Sequence, residues 1–481
     1  MLERSISIKE KHMKKNIMSA AVAASLLGAS AANAVFVNSE GHGQALIYPY
    51  YTVEGGHDTY INLVNTTNET KAVKVRFVEA MNSQEVLDFN LYLSPQDHWS
   101  AVVFADGEGA SIRTADTSCT VPNTLAAAAE GTPGATVPFR NFTYQTDAAP
   151  FTGVDRTREG YVEVIEMGVL EAAVDQAAAL HANGVPGDCS VLVGNWRAGG
   201  KWTADRNDGL GVPTGGLYGY GVLINVNEGT NATYDAVALD DFVSSLDLAA
   251  VPIHFAPGTV DPGLVDATPV AQVLDSTTGL GVVTSSFTDG IDAVSAVIMH
   301  SAIMNDYVLE PTIAAGTDWV VTFPTKKNYV NGVPTALEPF TEIWDGDTAT
   351  ACEAMGITYY DREERTLSPD PLDFSPAPPG PAAFALCHEA NVLTFNESDV
   401  LAPSSRVKQN LAVDYDNGWL ELGFTGVGRT LTSDEGDVYN GLPTVGFAVQ
   451  KYVNGTLDNG VLSNYAGVVQ HKNRRLITSG P

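Results

Sequence analysis

Cysteine, histidine and basic residues are scarce in this 481-residue chain. It has four cysteines, nine histidines, and 26 lysines and arginines against 57 aspartates and glutamates. The formal charge of −31 predicts repulsion from nucleic-acid phosphates and from anionic lipid surfaces, so neither is expected as a partner. The cysteines show no CxxC spacing, which argues against zinc, thiol-exchange and haem-attachment motifs.

Long apolar runs are also missing, since no stretch of the mature chain approaches the roughly 18 residues of a membrane helix. A shorter apolar run, from Ile17 to Ala29, follows a lysine-rich segment and precedes the small residues Ala32-Asn33-Ala34. This order is typical of a signal peptide with its cleavage site. We therefore predict that residues 1–34 are a signal peptide, that the mature chain begins at Val35, and that the protein is exported to the periplasm, the cell surface or the medium.

Export to an oxidising compartment favours two disulfides among the four cysteines. Three pairings are possible. We favour Cys119 with Cys189 and Cys352 with Cys387, because each pair flanks an irregular segment that a covalent link would restrain. The alternative is four free, buried thiols.

Alternation of polar and apolar residues recurs along the chain and predicts strands. Five are expected at 45–53, 59–65, 72–79, 86–93 and 99–104, joined by short polar turns. The third of these strands lies in the alternating segment 71–79. It is predicted to be half-buried, with Val73 on one face and Lys74 and Arg76 on the other. The predicted fold class is mainly β, with antiparallel β-sandwich-like domains and a few inserted helices.

A segment rich in proline and glycine, 251–262, is the predicted boundary between two domains. The first, 35–250, is a β-sandwich-like domain with a helical insertion at 120–190, where the alanine-rich stretches 125–130 and 168–183 favour helix. The second, 251–481, is a β-rich domain with one amphipathic helix near 290–305 and a proline-rich surface loop at 368–383.

Three sequence segments resemble segments found in a known family of proteins. They run from Asp88 to Pro95 with Trp99 following, from Gly160 to Gly168, and from Thr317 to Lys326. These segments are similar to segments in a family of uncharacterised exported Gram-negative bacterial β-rich proteins. The resemblance implies export and a β-rich fold, and it provides no catalytic residue to transfer.

The common catalytic motifs do not occur. No Gly-x-Ser-x-Gly is present, which argues against a serine hydrolase with a nucleophile elbow. His388-Glu389 begins like a zincin helix, but Val392 stands where the second histidine is needed. We therefore predict no catalytic residue.

Acidic turns are the strongest candidates for metal ligands. The candidate residues are Asp205, Asn207, Asp345, Asp347, Asp414 and Asp416. Their oxygen atoms suit calcium, yet none of the turns has the spacing of a calcium-binding loop, and Asp, Asn and Gly are favoured in turns without any metal. We predict at most a bound calcium and no other cofactor.

Trp196 and Trp202 are the candidate ligand-stacking residues. They are separated by the polar and glycine-rich segment 197–201 and are the tryptophans expected to be exposed, whereas Trp99 and Trp319 lie in strand patterns and are expected in the core.

These observations favour a non-enzymatic exported protein of the cell envelope or surface with a structural, adhesive or matrix role. Its expected partners are copies of itself or other envelope components. Two alternatives remain: a secreted carboxylate-dependent hydrolase acting on polysaccharide, and a periplasmic ligand-binding protein.

Overall fold

The computed structural model describes residues 34–129, 131–148, 151–244, 250–275, 278–331, 337–366, 384–401, 403–457 and 459–480. Residues 1–33 of the predicted signal peptide and the predicted proline-rich loop at 368–383 lie outside the described residues.

Strands make up most of the secondary structure. Those before residue 244 are β1 (Phe36–Val37), β2 (Ala45–Thr52), β3 (His57–Asn65), β4 (Lys71–Glu79), β5 (Glu85–Leu93), β6 (His98–Asp106), β7 (Gly109–Arg113), β8 (Cys119–Val121), β9 (Val137–Pro138), β10 (Glu159–Leu170), β11 (His181–Ala182), β12 (Val185–Pro186), β13 (Leu210–Gly211), β14 (Leu217–Asn225), β15 (Thr230–Asp235) and β16 (Val237–Asp240).

Those that follow are β17 (Val270–Asp275), β18 (Gly281–Ser286), β19 (Met299–His300), β20 (Ala302–Val308), β21 (Ala315–Thr322), β22 (Glu353–Ala354), β23 (Gly356–Asp361), β24 (Ala385–Leu386), β25 (Ala390–Phe395), β26 (Lys408–Leu411), β27 (Asn417–Gly423), β28 (Thr430–Thr432), β29 (Val438–Asn440), β30 (Leu442–Pro443), β31 (Val445–Thr456), β32 (Leu462–Gln470), β33 (Lys472–Arg474) and β34 (Ile477–Thr478).

Helices are few and short. The α-helices are α1 (Ala173–Ala179), α2 (Cys189–Asn195), α3 (Lys201–Ala204), α4 (Gly290–Val297) and α5 (Lys327–Val330), and 3-10 turns occur at Glu54–Gly56, Phe142–Thr146, Val154–Arg158, Leu264–Asp266 and Pro311–Ile313. The predicted mainly-β, sandwich-like fold class is confirmed.

Two antiparallel sheets form the first half of the molecule. One has the strand order β1-β16-β2-β10-β4-β5-β8, with β13 added to β10, and the other has the order β15-β14-β3-β6-β7-β9. The five strands predicted between residues 45 and 104 correspond to β2 to β6. Tyr48 on β2 donates a hydrogen bond to the carbonyl oxygen of Asn62 on β3, which links the two sheets at 2.8 Å.

The second half contains a five-stranded sheet, β26-β25-β21-β31-β32, and a four-stranded sheet, β23-β27-β20-β33. Neighbours pair antiparallel except for β25 and β26, which are parallel. Aromatic side chains fill the space between these sheets. Tyr307 stacks on Phe395 with ring centroids 5.1 Å apart, and Trp319 meets the same ring edge-on at 5.4 Å.

The two halves share one hydrophobic core, although each sheet takes its strands from one side of the segment 251–262. Tyr234 from the first half stacks on Phe447 from the second, with centroids 4.5 Å apart. Thr322 donates to the carbonyl oxygen of Pro49 at 2.7 Å, and the amide of Val35 donates to Val270 at 2.8 Å. The position of the domain boundary stays a prediction, but the packing joins the halves closely.

Three helix predictions were wrong in extent or type. The helix expected at 290–305 ends at Val297, and Ala302–Val308 is the strand β20, in which Ile303, Asn305 and Tyr307 alternate into the interior. The helix expected at 168–183 shrinks to Ala173–Ala179 because β10 runs on to Leu170. The alanine-rich stretch 125–129 forms turns. In each case tertiary contacts override local propensity.

The prediction that the strand 71–79 is half-buried was also wrong, because all nine residues of β4 are buried. The face that carries Lys74 is covered by the chain that follows the first half. Lys74 donates to the carbonyl oxygen of Ala256 at 2.8 Å and lies 2.9 Å from Asp88.

Both predicted disulfides are present. Cys119–Cys189 joins β8 to the start of α2, and Cys352–Cys387 closes a shorter loop in the second half. The structure therefore confirms the favoured one of the three possible pairings.

Candidate functional site

Buried ion pairs are concentrated in the first half. Lys71 lies 2.6 Å from Glu166, and both side chains are fully buried. Arg76 contacts Glu163 at 2.7 Å and Glu85 at 3.0 Å. Removing one member of such a pair leaves an uncompensated charge in the interior, so these contacts constrain the fold strongly.

Arg156 is the centre of the most connected of these clusters. Its guanidinium holds both oxygens of Glu79, at 2.7 and 2.9 Å, and contacts Asp147 at 2.6 Å and the side-chain oxygen of Asn82 at 2.5 Å. Its plane lies over the ring of Tyr144, 4.3 Å from the centroid. Every nitrogen of the guanidinium donates to an acceptor within the protein, including the carbonyl oxygen of Phe151 at 3.0 Å, which is the arrangement of a structural group.

A second buried cluster surrounds Glu389, the residue beside the zincin-like His388. Burial raises the pKa of Glu389 to about 8 and lowers that of Lys326 to about 8. Ser83 donates to Glu389 at 3.2 Å, while Lys326 donates to the carbonyl oxygen of Ala351 at 2.6 Å. Burial lowers the pKa of His388 to about 3, so this imidazole is neutral over the physiological range.

The predicted metal ligands lie in separate exposed turns. The side chain of Asp205 accepts from the amide of Asn207 at 3.0 Å, and that of Asp345 accepts from the amide of Asp347 at 2.9 Å. These are the local hydrogen bonds of Asx turns.

The third candidate turn contains Asp414 and Asp416. Asp414 accepts from the hydroxyl of Tyr359 at 2.6 Å, and the backbone carbonyl of Asp416 accepts from Leu309 at 2.6 Å. Within the described part of the chain, no group of three or more histidine, cysteine, aspartate or glutamate side chains is arranged to hold a metal ion.

The prediction that Trp202 is exposed was wrong. Trp202 is 2% exposed and stacks on Tyr92 with centroids 5.6 Å apart. Trp196 is half-buried, lies 4.8 Å from the ring of His254, and donates to the hydroxyl of Tyr92 at 2.9 Å. The two tryptophans form a core between the inserted helices and the sheet, since their flat faces pack against other rings.

His254 connects this aromatic core to the segment 251–262. Its Nδ1 lies 2.7 Å from the carbonyl oxygen of Arg206, which can only accept, so Nδ1 carries the proton. Its Nε2 then accepts from the hydroxyl of Tyr92 at 3.1 Å. Burial lowers the pKa of His254 to about 3, which keeps this tautomer neutral.

A cavity of about 160 Å³ lies where the two halves meet, and it is the best candidate for a functional site. The first half contributes Val37 and Val237, and the second contributes the end of α4 and parts of β19, β20, β31, β32 and β33. The polar lining consists of His300, Thr444, Gln470, His471, Asn473 and Arg475.

His471 has a complete set of partners. Its Nε2 lies 3.0 Å from the carbonyl oxygen of Val320 and must donate to it. Its Nδ1 accepts from the amide of Asn305 at 3.2 Å. Burial lowers the pKa of His471 to about 4, so it is a neutral and fixed part of the wall.

His300 differs because its Nδ1 has no hydrogen-bond partner within the described residues. The residue is 9% exposed and lines the cavity. Burial, reinforced by the positive charge of Arg475, holds the pKa of His300 well below its usual value. An unpartnered polar atom in such a position costs free energy unless a water or a ligand satisfies it.

Arg475 is fixed by the C-terminal end of α4. It donates to the carbonyl oxygens of Met299 at 2.9 Å, Val297 at 2.7 Å and Ala296 at 3.4 Å. Among the residues with described positions, no carboxylate lies within ion-pair distance of its guanidinium. Burial lowers the pKa of Arg475 to about 10, so it remains charged at neutral pH.

The sequence analysis did not identify these residues. His300 and Arg475 are distant in sequence and match no motif, and single histidines and arginines carry no signal of their own. Only the packing of α4 against the last strands brings them together.

Comparison with known proteins is negative at each level: no family model, curated protein or solved structure matches this chain. Among the described helices, none has both the length and the apolar composition needed to cross a membrane.

Proposed function

We propose that this chain is an exported, non-enzymatic protein of the cell envelope or surface that binds a small ligand in the cavity between its two halves. The proposal rests on two polar side chains of the cavity wall whose interactions are incomplete among the described residues. His300 presents an unpartnered Nδ1, and Arg475 presents a charge without a carboxylate partner among the described residues, both beside apolar side chains. Ligand sites typically combine an apolar lining with a few such polar groups.

Glu159 is a buried carboxylate with a structural rather than a catalytic set of contacts. Glu159 accepts hydrogen bonds from Tyr50, Ser405 and the amide of Arg406, at 2.7 to 2.8 Å. Burial raises the pKa of Glu159, but its oxygens point at protein donors. A polysaccharide hydrolase needs two carboxylates that face a common cleft, and the candidate cavity has no carboxylate in its described lining.

Thermal unfolding in the presence of a chemically diverse panel tests the proposal. The panel contains short-chain carboxylates, amino acids, monosaccharides and alkylamines, each at millimolar concentration and constant ionic strength. A ligand that binds only the folded state adds about 2.7 kcal/mol at a hundred times its Kd, which raises Tm measurably.

A cavity-filling variant, Val237→Phe, provides the specificity control, because Val237 lines the cavity. Val226→Phe is the matched control, since Val226 is 73% exposed. We expect at least one compound to stabilise the wild type and the Val226→Phe variant but not Val237→Phe. If no compound stabilises the wild type, or if Val237→Phe responds equally, the cavity is not a binding site.

An adhesive role is a second candidate, favoured by an exposed aromatic pair on the four-stranded sheet. Trp419 is 41% exposed and stacks on Tyr360 across the strands, with centroids 4.9 Å apart. Exposed aromatic rings can stack on sugars of envelope polysaccharides. Val427→Ala is the control, because Val427 is 99% exposed. Loss of polysaccharide retention in Trp419→Ala but not in Val427→Ala would support adhesion, and equal retention in the two variants would oppose it.

A further inference from the structure

We infer that the ligand of the cavity is a small organic acid with one carboxylate and an apolar tail, held by Arg475 and His300. This inference rests on the proposed binding function and names the chemical class of its ligand.

The hydrogen-bond inventory of Arg475 leaves room for a carboxylate. A guanidinium has five N–H donors, and Arg475 makes three contacts to backbone carbonyls, all through Nη1 and Nη2. Nε has no acceptor among the described residues. A carboxylate fits the planar guanidinium through two parallel hydrogen bonds, which a single neutral acceptor cannot reproduce.

The charge of the cavity lining also favours an anionic ligand. The whole chain has 57 acidic residues and 26 basic ones, yet the described lining contains an arginine, two histidines and no aspartate or glutamate. Asp275 attracts Arg475 electrostatically but is neither within ion-pair distance nor part of the described lining, so a cationic ligand would meet the guanidinium directly. An anionic ligand would supply a counter-charge in direct contact with Arg475, in a partly desolvated place where such a contact is strong.

His300 adds a directional contact. Its other ring nitrogen donates to the backbone of Thr444, so the unpartnered Nδ1 of the neutral imidazole is an acceptor. A hydroxyl on the carbon next to the ligand carboxylate provides the donor that Nδ1 requires.

The size and the apolar wall limit the rest of the molecule. Val37, Val237, Ile298, Ile303 and Val445 also line the cavity. Cavities of about 150 Å³ accept a molecule of the size of benzene, so the volume of about 160 Å³ suits a small ligand whose apolar part is no larger than a benzene ring. Butyrate and benzoate have suitable dimensions, whereas a disaccharide does not.

Isothermal titration calorimetry of the full-length exported protein with matched acids and amides tests the inference. The probes are butyrate and benzoate, together with butyramide and benzamide, which have nearly the same shape but no charge. We expect each acid to bind about tenfold or more tightly than its amide, because charge-assisted hydrogen bonds are roughly twice as strong as neutral ones.

Arg475→Gln should bring the ratio of acid to amide affinity close to one. Arg474→Gln is the matched control, because Arg474 is the neighbouring residue, is exposed, and pairs with Glu421 at the surface. It should keep the wild-type ratio. His300→Gln is the second variant, and it should not remove the preference for acids.

The ratio of acid to amide affinity in the wild type tests the inference even if the Arg475→Gln variant does not fold. Amides that bind as tightly as acids would overturn the carboxylate assignment and leave the binding function standing. Failure of all four probes would also overturn the assignment, and the Val237→Phe comparison with the broader panel would then decide the proposed function separately.

Discussion

The Arg156 cluster allows a quantitative test of how the first half is stabilised. In Arg156→Met the side chain keeps much of its length but loses its charge and its hydrogen bonds to Glu79, Asp147 and Asn82. Glu79 and Asp147 have side chains that are 0% and 3% exposed, so water cannot replace the lost partner.

The expected loss in the free energy of unfolding is large. Breaking a buried ion pair by removing one partner costs about 3 to 5 kcal/mol. Here one arginine serves two carboxylates, so we expect a value at the upper end of that range. Whole domains are stable by only about 5 to 15 kcal/mol, and Arg156→Met should therefore be close to the limit of folding.

Urea unfolding followed by tryptophan fluorescence, with the disulfides intact, measures this loss. Arg474→Met is the control, since it removes a surface arginine whose ion pair should contribute less than about 1 kcal/mol. Equal urea midpoints for the two variants would refute the view that this cluster is a major stabilising group.

Four further predictions follow from the sequence and the structure. Amino-terminal sequencing of the exported protein should give Val35 as the first residue, and an intact Met1 would contradict the signal peptide. Replacing Cys119 and Cys189 by alanine should cost about 4 kcal/mol, because the bridge spans 70 residues of the unfolded chain, and an unchanged urea midpoint would oppose this. Lowering the pH from 6.5 towards 4 should cost up to about 1.4 kcal/mol per pH unit for each buried histidine such as His254 and His388, whose pKa values fall from 6.5 to about 3, because the unfolded chain takes up protons that the folded chain excludes. Buried carboxylates such as Glu389, whose pKa is raised to about 8, act in the opposite direction, so the Tm of the wild type is compared with that of His254→Gln across this range, and parallel profiles would contradict the histidine contribution. Millimolar calcium, added after chelator treatment and matched in ionic strength with sodium chloride, should raise Tm if the acidic turns bind it, and no change would leave them as solvated loops.

The strands and the disulfides were predictable because they depend on local pattern. Alternation with a period of two specifies the faces of a strand directly, so β2 to β6 were recognised within one or two residues of their ends. The pairing of the cysteines was likewise inferred from sequence pattern, because each pair flanks an irregular segment. The predicted faces of β4 were correct for Val73, but the predicted exposure of Lys74 was not.

The burial of Lys74 could not be predicted because its cover comes from Ala256, far along the chain. The same reason applies to Trp202, which has a polar and glycine-rich neighbourhood in sequence and an aromatic one in space. The candidate cavity is lined by Val37 of β1 together with α4 and the last strands, and no local pattern encodes such a meeting.

The position of β1 has a consequence for the timing of folding. Phe36 pairs with Asp240, and Val35 forms a bridge to Ala271, so the first described strand is held by segments about half-way along the chain. A chain that emerges from its N-terminus must leave this strand unpaired until those segments have also emerged, and closing such long loops slows folding. The hairpins β4–β5 and β6–β7 can form from neighbours alone. The seam between the two halves is therefore completed late, once the segments that pair with β1 are available.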